Sequence, residues 1–529
     1  MRALLIWLAC LCAALGMRAQ TNVEGVIRIG QNALYYEDYV LSIQYFNQAI
    51  AAKPYLYEPY YFRAVAKYYL GDYYGTIGDC SQSISCDPYI GEVYRLRAIS
   101  YIRTDNYEAA SADYTTLITE RGDRDRDVWF NAALCLNQLK RYEAADSLLD
   151  TMTVRWPDYS RCYLLKAQTA LSRTDTLRSD SLLTIAIAKD TASVDALSAK
   201  ATLCLQRQLY AESEAYYDRA IRLSPKQGGF YINRALARYQ QHNLRGAMDD
   251  YNEALELMPD NYLGHYNRAL LRMQVGENNL AIEDFDFVLS RRPSDRLALY
   301  NRAILSQQTG SYRRAISDYT TVLKDYPNFS GGYVNRAYCY ARIGDNRRAE
   351  ADERKAMQIR LNEVYRNKAY SSPLASVTRH EDEADIEDYD KLVDDSEENI
   401  VPVYASEYRG RVQNREVAAV HQPAYTPPEG EQIDEAHELY NQGCAYSLSG
   451  DIASAEAAYT KAIELNPSLA EAYYNRGLDR ALNDDKMAAM QDLSKAGELG
   501  LYTAYSLIKH FRNSKTNNSG RQPLQKQLR

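Results

Sequence analysis

Residues 262–295 read YLGHYNRALLRMQVGENNLAIEDFDFVLSRRPSD, and this stretch of 34 residues decides the fold. From Tyr262 to Val275 the large residues return at the three- and four-residue spacing of a helix. Gly276-Glu277-Asn278 interrupts the pattern. A second helix then runs from Asn279 until Pro293, which lacks an amide proton and restricts the residue before it. Ala269 and Ala281 are small enough for the two helices to approach closely, and Tyr266 and Phe285 fill the space around them. One hairpin of this size cannot bury its apolar face alone, so it requires similar neighbours.

The neighbours are present in the chain. Ala201, Ala235, Ala269, Ala303 and Ala337 follow one another at steps of 34 residues, as do Tyr217, Tyr251, Phe285 and Tyr319. Pro225, Pro259, Pro293 and Pro327 form a third column, Gly276, Gly310 and Gly344 a fourth, and Ala247, Ala281, Ala315 and Ala349 a fifth. Upstream the phase persists through Gly30, Ala64 and Ala98, slips by one residue at the charged loop 121–127, and resumes at Ala133 and Ala167. Ten units result over residues 23–361, with 342–368 reading as one long charged helix. Residues 362–435 read as an acidic linker: between Glu381 and Glu398 stand eleven carboxylates and one Lys391. A calcium loop is disfavoured because 388–399 lacks the glycine such a loop turns on. Apolar alternation over 404–420 suits a short strand pair. The period returns over 436–512, in two units marked by Ala436, Gly443, Gly450, Pro467 and Gly477, followed by a helix at 503–511 that caps the last apolar face. The tail 513–529 is polar and basic.

These columns resemble the tetratricopeptide repeat family, and the resemblance extends over about two thirds of the chain. It implies an all-α, right-handed superhelical solenoid of helix-turn-helix hairpins, here with an irregular linker and a short second repeat block. It also implies that the first helix of each hairpin lines a concave face on which ligand peptides lie, and that the work of the protein is to bind other proteins.

The rest of the composition narrows the possibilities. The chain of 529 residues has ordinary proportions of charged (25%) and hydrophobic (46%) residues, but 48 Tyr against 8 Phe and 3 Trp. Tyrosine buries ring area while keeping a hydroxyl at the edge, which suits thin layers near solvent. A net charge of -8 gives no general attraction for nucleic acid or an anionic membrane. Residues 1–19 read as a secretory signal: Arg2, then an apolar run from Ala3 to Gly16, then Met17-Arg18-Ala19. A lipoprotein signal acylated at Cys10 or Cys12 is the alternative. No later segment is apolar enough to span a membrane. The expectation is an exported protein, periplasmic or peripherally associated with a bacterial cell envelope.

Seven cysteines remain beyond residue 19, an odd number without CxxC spacing, which argues against a disulfide framework or a zinc site. No HExxH, GxSxG, phosphate loop or dinucleotide fingerprint is present, so no catalytic residue, metal or cofactor is expected.

Two further columns matter. Arg63, Arg97, Arg234, Arg268, Arg302, Arg336 and Arg476 stand just before the small residue, and sixteen residues later the same seven units carry Asp79, Asp113, Asp250, Asp284, Asp318, Asp352 and Asp492. The five remaining units lack both members, so each Arg is expected to meet its Asp within one hairpin as a structural salt bridge. Just before the Arg column come Asn233, Asn267, Asn301 and Asn335, with Asn131, Asn441 and Asn475 in other units. An exposed asparagine ladder offers donor and acceptor together, enough to pair with the backbone of an extended peptide of any sequence; the alternative is that Asn links neighbouring helices. Tyr266, Tyr300, Gln274 and Gln308 would complete this groove. No unit has the Lys and Asn pairing of the family's carboxylate clamp, which disfavours acidic chaperone tails. The function expected is a non-catalytic envelope scaffold that binds extended peptides or partner proteins in its groove. The alternative is a structural subunit of an envelope secretion or assembly complex.

Overall fold

The computed structural model describes residues 22–369, 421–428, 432–483 and 485–513, with side chains for all of these except 363–369, 510, 512 and 513. The proposed signal at 1–19, the strand pair at 404–420 and the tail beyond 513 lie outside the described residues. Among those described, every regular element is helical.

The chain divides into two compact units, Met1–Asp158 with Val401–Arg529, and Tyr159–Ile400. In the second, six hairpins follow at the repeat period, from Ser160–Ser172 with Thr176–Lys189 to Ser330–Arg342 with Asn346–Ala369. Its core is made from the columns already described. Ala235, Ala269 and Ala303 are fully buried, as are Tyr217, Tyr251, Phe285 and Tyr319. The second helix of the quoted stretch begins at Asn278 rather than Asn279. The long helix expected over 342–368 is present as Asn346–Ala369; it starts later than expected because Gly344, at φ 83°, separates it from the helix that ends at Arg342.

That left-handed turn recurs at one repeat position. Gly71, Gly276, Gly310, Gly344 and Gly450 adopt it, and so do Glu37, Asp105, Lys140, Thr174, Gln208 and His242 at φ 58–64°. The hairpin geometry therefore imposes the turn whether or not glycine is there, and Thr174, branched at Cβ, is the costliest occupant.

The first unit holds four hairpins from Val23–Tyr35 to Tyr142–Arg155, together with Glu435–Ser449, Ile452–Leu465, Ala470–Leu482, Lys486–Glu498 and Thr503–Asn513. The one-residue slip in the period has a structural cause: Tyr107–Thr115 continues into a π-helical turn, Thr116–Glu120, which takes up the extra residue. Arg95 then pins the following loop through Asp123 (2.6 Å) and Asp125 (3.1 Å).

The C-terminal helices do not end in solvent, as a simple cap would. Lys486–Glu498 packs on Tyr73–Cys86, and Thr503–Asn513 on Tyr57–Leu70. Ile43 and Ala66 join Leu478, Leu493, Ala504 and Leu507 in one apolar cluster. Charge is buried beside it: Lys67, with no exposed surface, pairs with Asp79 at 2.8 Å and with Glu498. The Asn47 amide donates to the Glu498 carbonyl at 2.9 Å, and the Ser494 hydroxyl donates to Asp72. Burial pushes the Asp72 carboxyl up to about 6 against the pull of Lys67. Burial also acts to raise Glu498, but Lys67 and Arg63 outweigh it and hold that carboxyl at about 2.

Candidate functional site

Two side-chain systems run along the first helices, a column of Arg–Asp pairs and a column of asparagines.

The structural system is the Arg–Asp column. In all seven units Nε of the Arg donates to Oδ2 of the Asp sixteen residues later at 2.7–3.0 Å. Nη2 donates in parallel to Oδ1, completing a bidentate pair. The third donor, Nη1, reaches back sixteen residues to the preceding hairpin at 2.6–3.1 Å. There it meets Asn47, Ser81, Asp218, Asn252, Asp286, Thr320 or Thr460. Each guanidinium thus ties its own hairpin closed and staples it to the one before. Five of them also lie over a tyrosine three residues earlier, Tyr60, Tyr94, Tyr231, Tyr333 and Tyr473, at 5.4–5.8 Å from the ring centre. That stacking is one reason for the abundance of tyrosine.

Sequence reasoning found the pairs but not the staple, whose acceptor varies in type. A second cation one helical turn beyond the Arg also reaches the same Asp, namely Lys67, Arg238, Arg272 and Arg480. Where Lys200 replaces the Arg, it reaches only the preceding hairpin, at Asp180 (2.7 Å) and Thr184 (3.0 Å). His265 stacks on Phe287 with ring centres 3.9 Å apart and bonds Asp284 at 2.7 Å. Burial works to raise Asp284, yet His265, Arg268 and Arg272 together hold it below the usual carboxylate range.

The second system is the asparagine column. In the C-terminal block it engages residues 421–428, which run without helical structure across the first helices of the two hairpins. The Asn475 amide accepts from the Gln422 N–H (2.7 Å) and donates to the Gln422 carbonyl (3.0 Å). The Asn441 amide treats Tyr425 identically, at 2.7 and 2.9 Å. Asn441 and Asn475 are one repeat apart, and the residues they hold are three apart, about 10 Å of extended chain. The segment therefore advances three residues per hairpin, opposite in direction to the order of the repeats. The Tyr440 hydroxyl donates to the carbonyls of Gln422 (3.2 Å) and Pro423 (2.9 Å). His421 Nε2 lies 2.8 Å from Asp479 Oδ1 and 3.2 Å from the Ser447 hydroxyl. The Tyr425 ring lies tilted against His437, ring centres 3.9 Å apart.

In the Tyr159–Ile400 unit the column is placed differently from the exposed ladder expected. Asn233, Asn267 and Asn301 are buried, at 2%, 0% and 5% exposure. The physical reason is visible at Asn475, whose amide also reaches Tyr440 (3.1 Å) and Cys444 (3.5 Å) on the preceding hairpin. The position sits in the seam between successive first helices, so the amide is floor rather than surface. Asn335, at the end of the array, keeps part of its surface open and hydrogen-bonds the Tyr319 phenol. Tyr266 is buried and Tyr300 half-buried, whereas Gln274 and Gln308 are exposed, Gln308 accepting from the Asn278 amide at 3.3 Å.

Among the described residues no group of three or more His, Cys, Asp and Glu could hold a metal ion, and no described helix is long and apolar enough to cross a membrane. The seven described cysteines are free thiols, all buried except the half-buried Cys86.

Two family profiles, both described as Tetratricopeptide repeat, match residues 436–469 and residues 95–160 and 164–228. A comparison with curated protein sequences finds no match. Among solved structures, the chain is similar to the C-terminal part of a TPR repeat-containing protein from Cytophaga hutchinsonii. That match has 15% identity and a TM-score of 0.39, and covers 45% of this chain and 97% of that one. A tetratricopeptide repeat protein from Parabacteroides merdae shares 17% identity at a TM-score of 0.33, covering 63% of this chain and 98% of the other. MamA from Desulfovibrio magneticus shares 16% identity at a TM-score of 0.31, over 33% of this chain and 97% of that chain.

Proposed function

We propose that this chain, a tetratricopeptide repeat protein and so a protein–protein interaction scaffold, binds extended segments of its partners through the asparagine column of its first helices. The observation that carries this reading is the paired donor and acceptor contact of Asn441 and Asn475 with a peptide backbone. Each amide replaces the hydrogen bonds a backbone would make to a neighbouring strand, so affinity does not depend on the side chains passing over it. In the Tyr159–Ile400 unit, Asn267, Asn301 and Asn335 stand at the same repeat position, but Asn267 and Asn301 are buried there, so a segment advancing three residues per hairpin would have to open the seam to reach their amides. Tyr300, Gln274 and Gln308 would flank it. The partners are other proteins or peptides, and the N-terminal residues 1–19 support export to the cell envelope.

The test is capture of extended peptides from a displayed random library by the full chain. Replacing Asn267, Asn301 and Asn335 with Ala should abolish capture by that unit while the cooperative melt persists. Unchanged capture would refute the groove reading.

A structural subunit of an envelope secretion or assembly complex is the second reading. It is favoured by the apolar face at the end of the array, where Val334 (38%), Met357 (64%) and Leu361 (45%) stand exposed. A stoichiometric complex that survives detergent extraction and needs Met357 and Leu361 would support it over the first.

A further inference from the structure

We propose that residues 421–428 are a tethered ligand, occupying a peptide site of the C-terminal block that also accepts an extended segment from another chain. That foreign segment carries a hydrogen-bond donor side chain, then a proline, then an aromatic ring. The inference rests on the groove reading above and goes further by assigning a second site, its selectivity and its self-competition.

The contacts are those of a ligand rather than of a core strand. Pro423, Ala424, Thr426 and Pro428 are exposed, so little apolar surface is buried to fix the segment in place. What holds it is a set of hydrogen bonds, each exchangeable for one to water or to a competing backbone. Its sequence is arranged for that task. The two backbone sites used belong to Gln422 and Tyr425, so the missing N–H of Pro423 costs nothing, and a residue before proline is already extended. Tyr425 packs its ring against His437 at the other end.

Selectivity comes from the pocket that receives His421. Asp479 has no exposed surface; its Oδ1 meets both His421 and the Ser447 hydroxyl, and its Oδ2 has no hydrogen-bond partner. A fully buried carboxylate with one oxygen on this side chain and the other unused selects a donor there and suits a two-pronged one such as a guanidinium. A tethered copy acts at high effective concentration, so a foreign segment binds only by exceeding it, and the site answers to strong or multivalent partners.

The experiment uses a fluorescein-labelled peptide VHQPAYTPPE, the sequence of residues 420–429, titrated by anisotropy into the full chain. Replacing 421–428 with a Gly-Ser run should tighten binding at least ~30-fold over the natural chain, and adding Asn441→Ala and Asn475→Ala should remove it. Substituting Ala for the peptide's histidine should weaken binding, and Arg should strengthen it. Equal binding to the natural and Gly-Ser chains, or binding that survives loss of both asparagines, overturns the proposal. In case the Gly-Ser chain melts early, hydrogen exchange on the natural chain gives an independent readout. Saturating unlabelled peptide must speed exchange at the Gln422 and Tyr425 amides, and unchanged exchange overturns the proposal. Neither measurement involves Asn267, Asn301 or Asn335, so failure here is separate from failure of the groove reading.

Discussion

The groove of the C-terminal block and the groove of the Tyr159–Ile400 unit are built from the same columns, and they differ one helical turn past the asparagine. Asn475 is followed four residues later by the buried acid Asp479. Asn233, Asn267, Asn301 and Asn335 are followed by Ala237, Leu271, Leu305 and Cys339, all buried and none charged. Under the proposed reading, backbone recognition would be common to the repeats, whereas side-chain selectivity would be added locally where a single position departs from the consensus. The common scaffold tolerates this because its own fixation lies elsewhere, in the Arg staples.

If the staple is truly common to both regions, breaking it should cost the same in each. Asp250→Ala and Asp492→Ala each remove the mostly buried carboxylate shared by two cations, which keep only their contacts to the preceding hairpin, and each should lose about 3 kcal/mol in urea unfolding. A loss in one region only would separate what the shared columns unite.

The pH response should distinguish the regions, since only the unit containing the C-terminal block has Asp72 and Glu498. Glu498 is held at about 2, below its unfolded value of about 4.3, so its contribution is present above pH ~4.3 and is lost as pH falls toward 2. A shift of that size is worth about 3 kcal/mol, and Glu498→Gln should flatten the acid limb of stability accordingly. Asp72 has the opposite sign. Pushed up to about 6, its folded form favours the proton, so its penalty is full above pH ~6 and is relieved as pH falls toward 4. Asp72→Asn should remove that relief from stability measured between pH 4 and 7.

A smaller effect is expected at the peptide itself. Asn441→Ala with Asn475→Ala removes the four hydrogen bonds to the segment, of modest net worth at about 2 kcal/mol together, besides the contacts of Asn475 with Tyr440 and Cys444. The Gln422 and Tyr425 amides should then exchange about 30-fold faster, with the global melt little changed. The smallest change is Thr174→Gly, which relieves a left-handed β-branched residue and should add about 1 kcal/mol to the Tyr159–Ile400 unit.

Much of this was legible in the sequence for an identifiable reason. A hairpin that must pack against copies of itself repeats its contacts at a fixed step, so Ala269, Phe285, Pro293 and the Arg268–Asp284 pair announce their roles by recurrence. The Nη1 staple was hidden because its acceptor changes among Asn, Ser, Asp and Thr, which share hydrogen-bonding capacity but not identity. The burial of Asn267 was hidden because position along the chain does not reveal that a residue faces a seam rather than a groove. The cluster of Lys67, Asp79 and Glu498 joins residues 431 positions apart, and no local pattern encodes such a meeting.

By itself the sequence determined the repeat, the hairpin and the charge pairs inside each hairpin, all of which follow from short-range spacing and the need of every unit for a similar neighbour. Only the tertiary structure decided that the last two repeats pack on the first ones and that an extended stretch after the acidic segment lies on their asparagines. Those contacts depend on surfaces that come together once the hairpins have stacked, and chain order alone does not say which surfaces will meet.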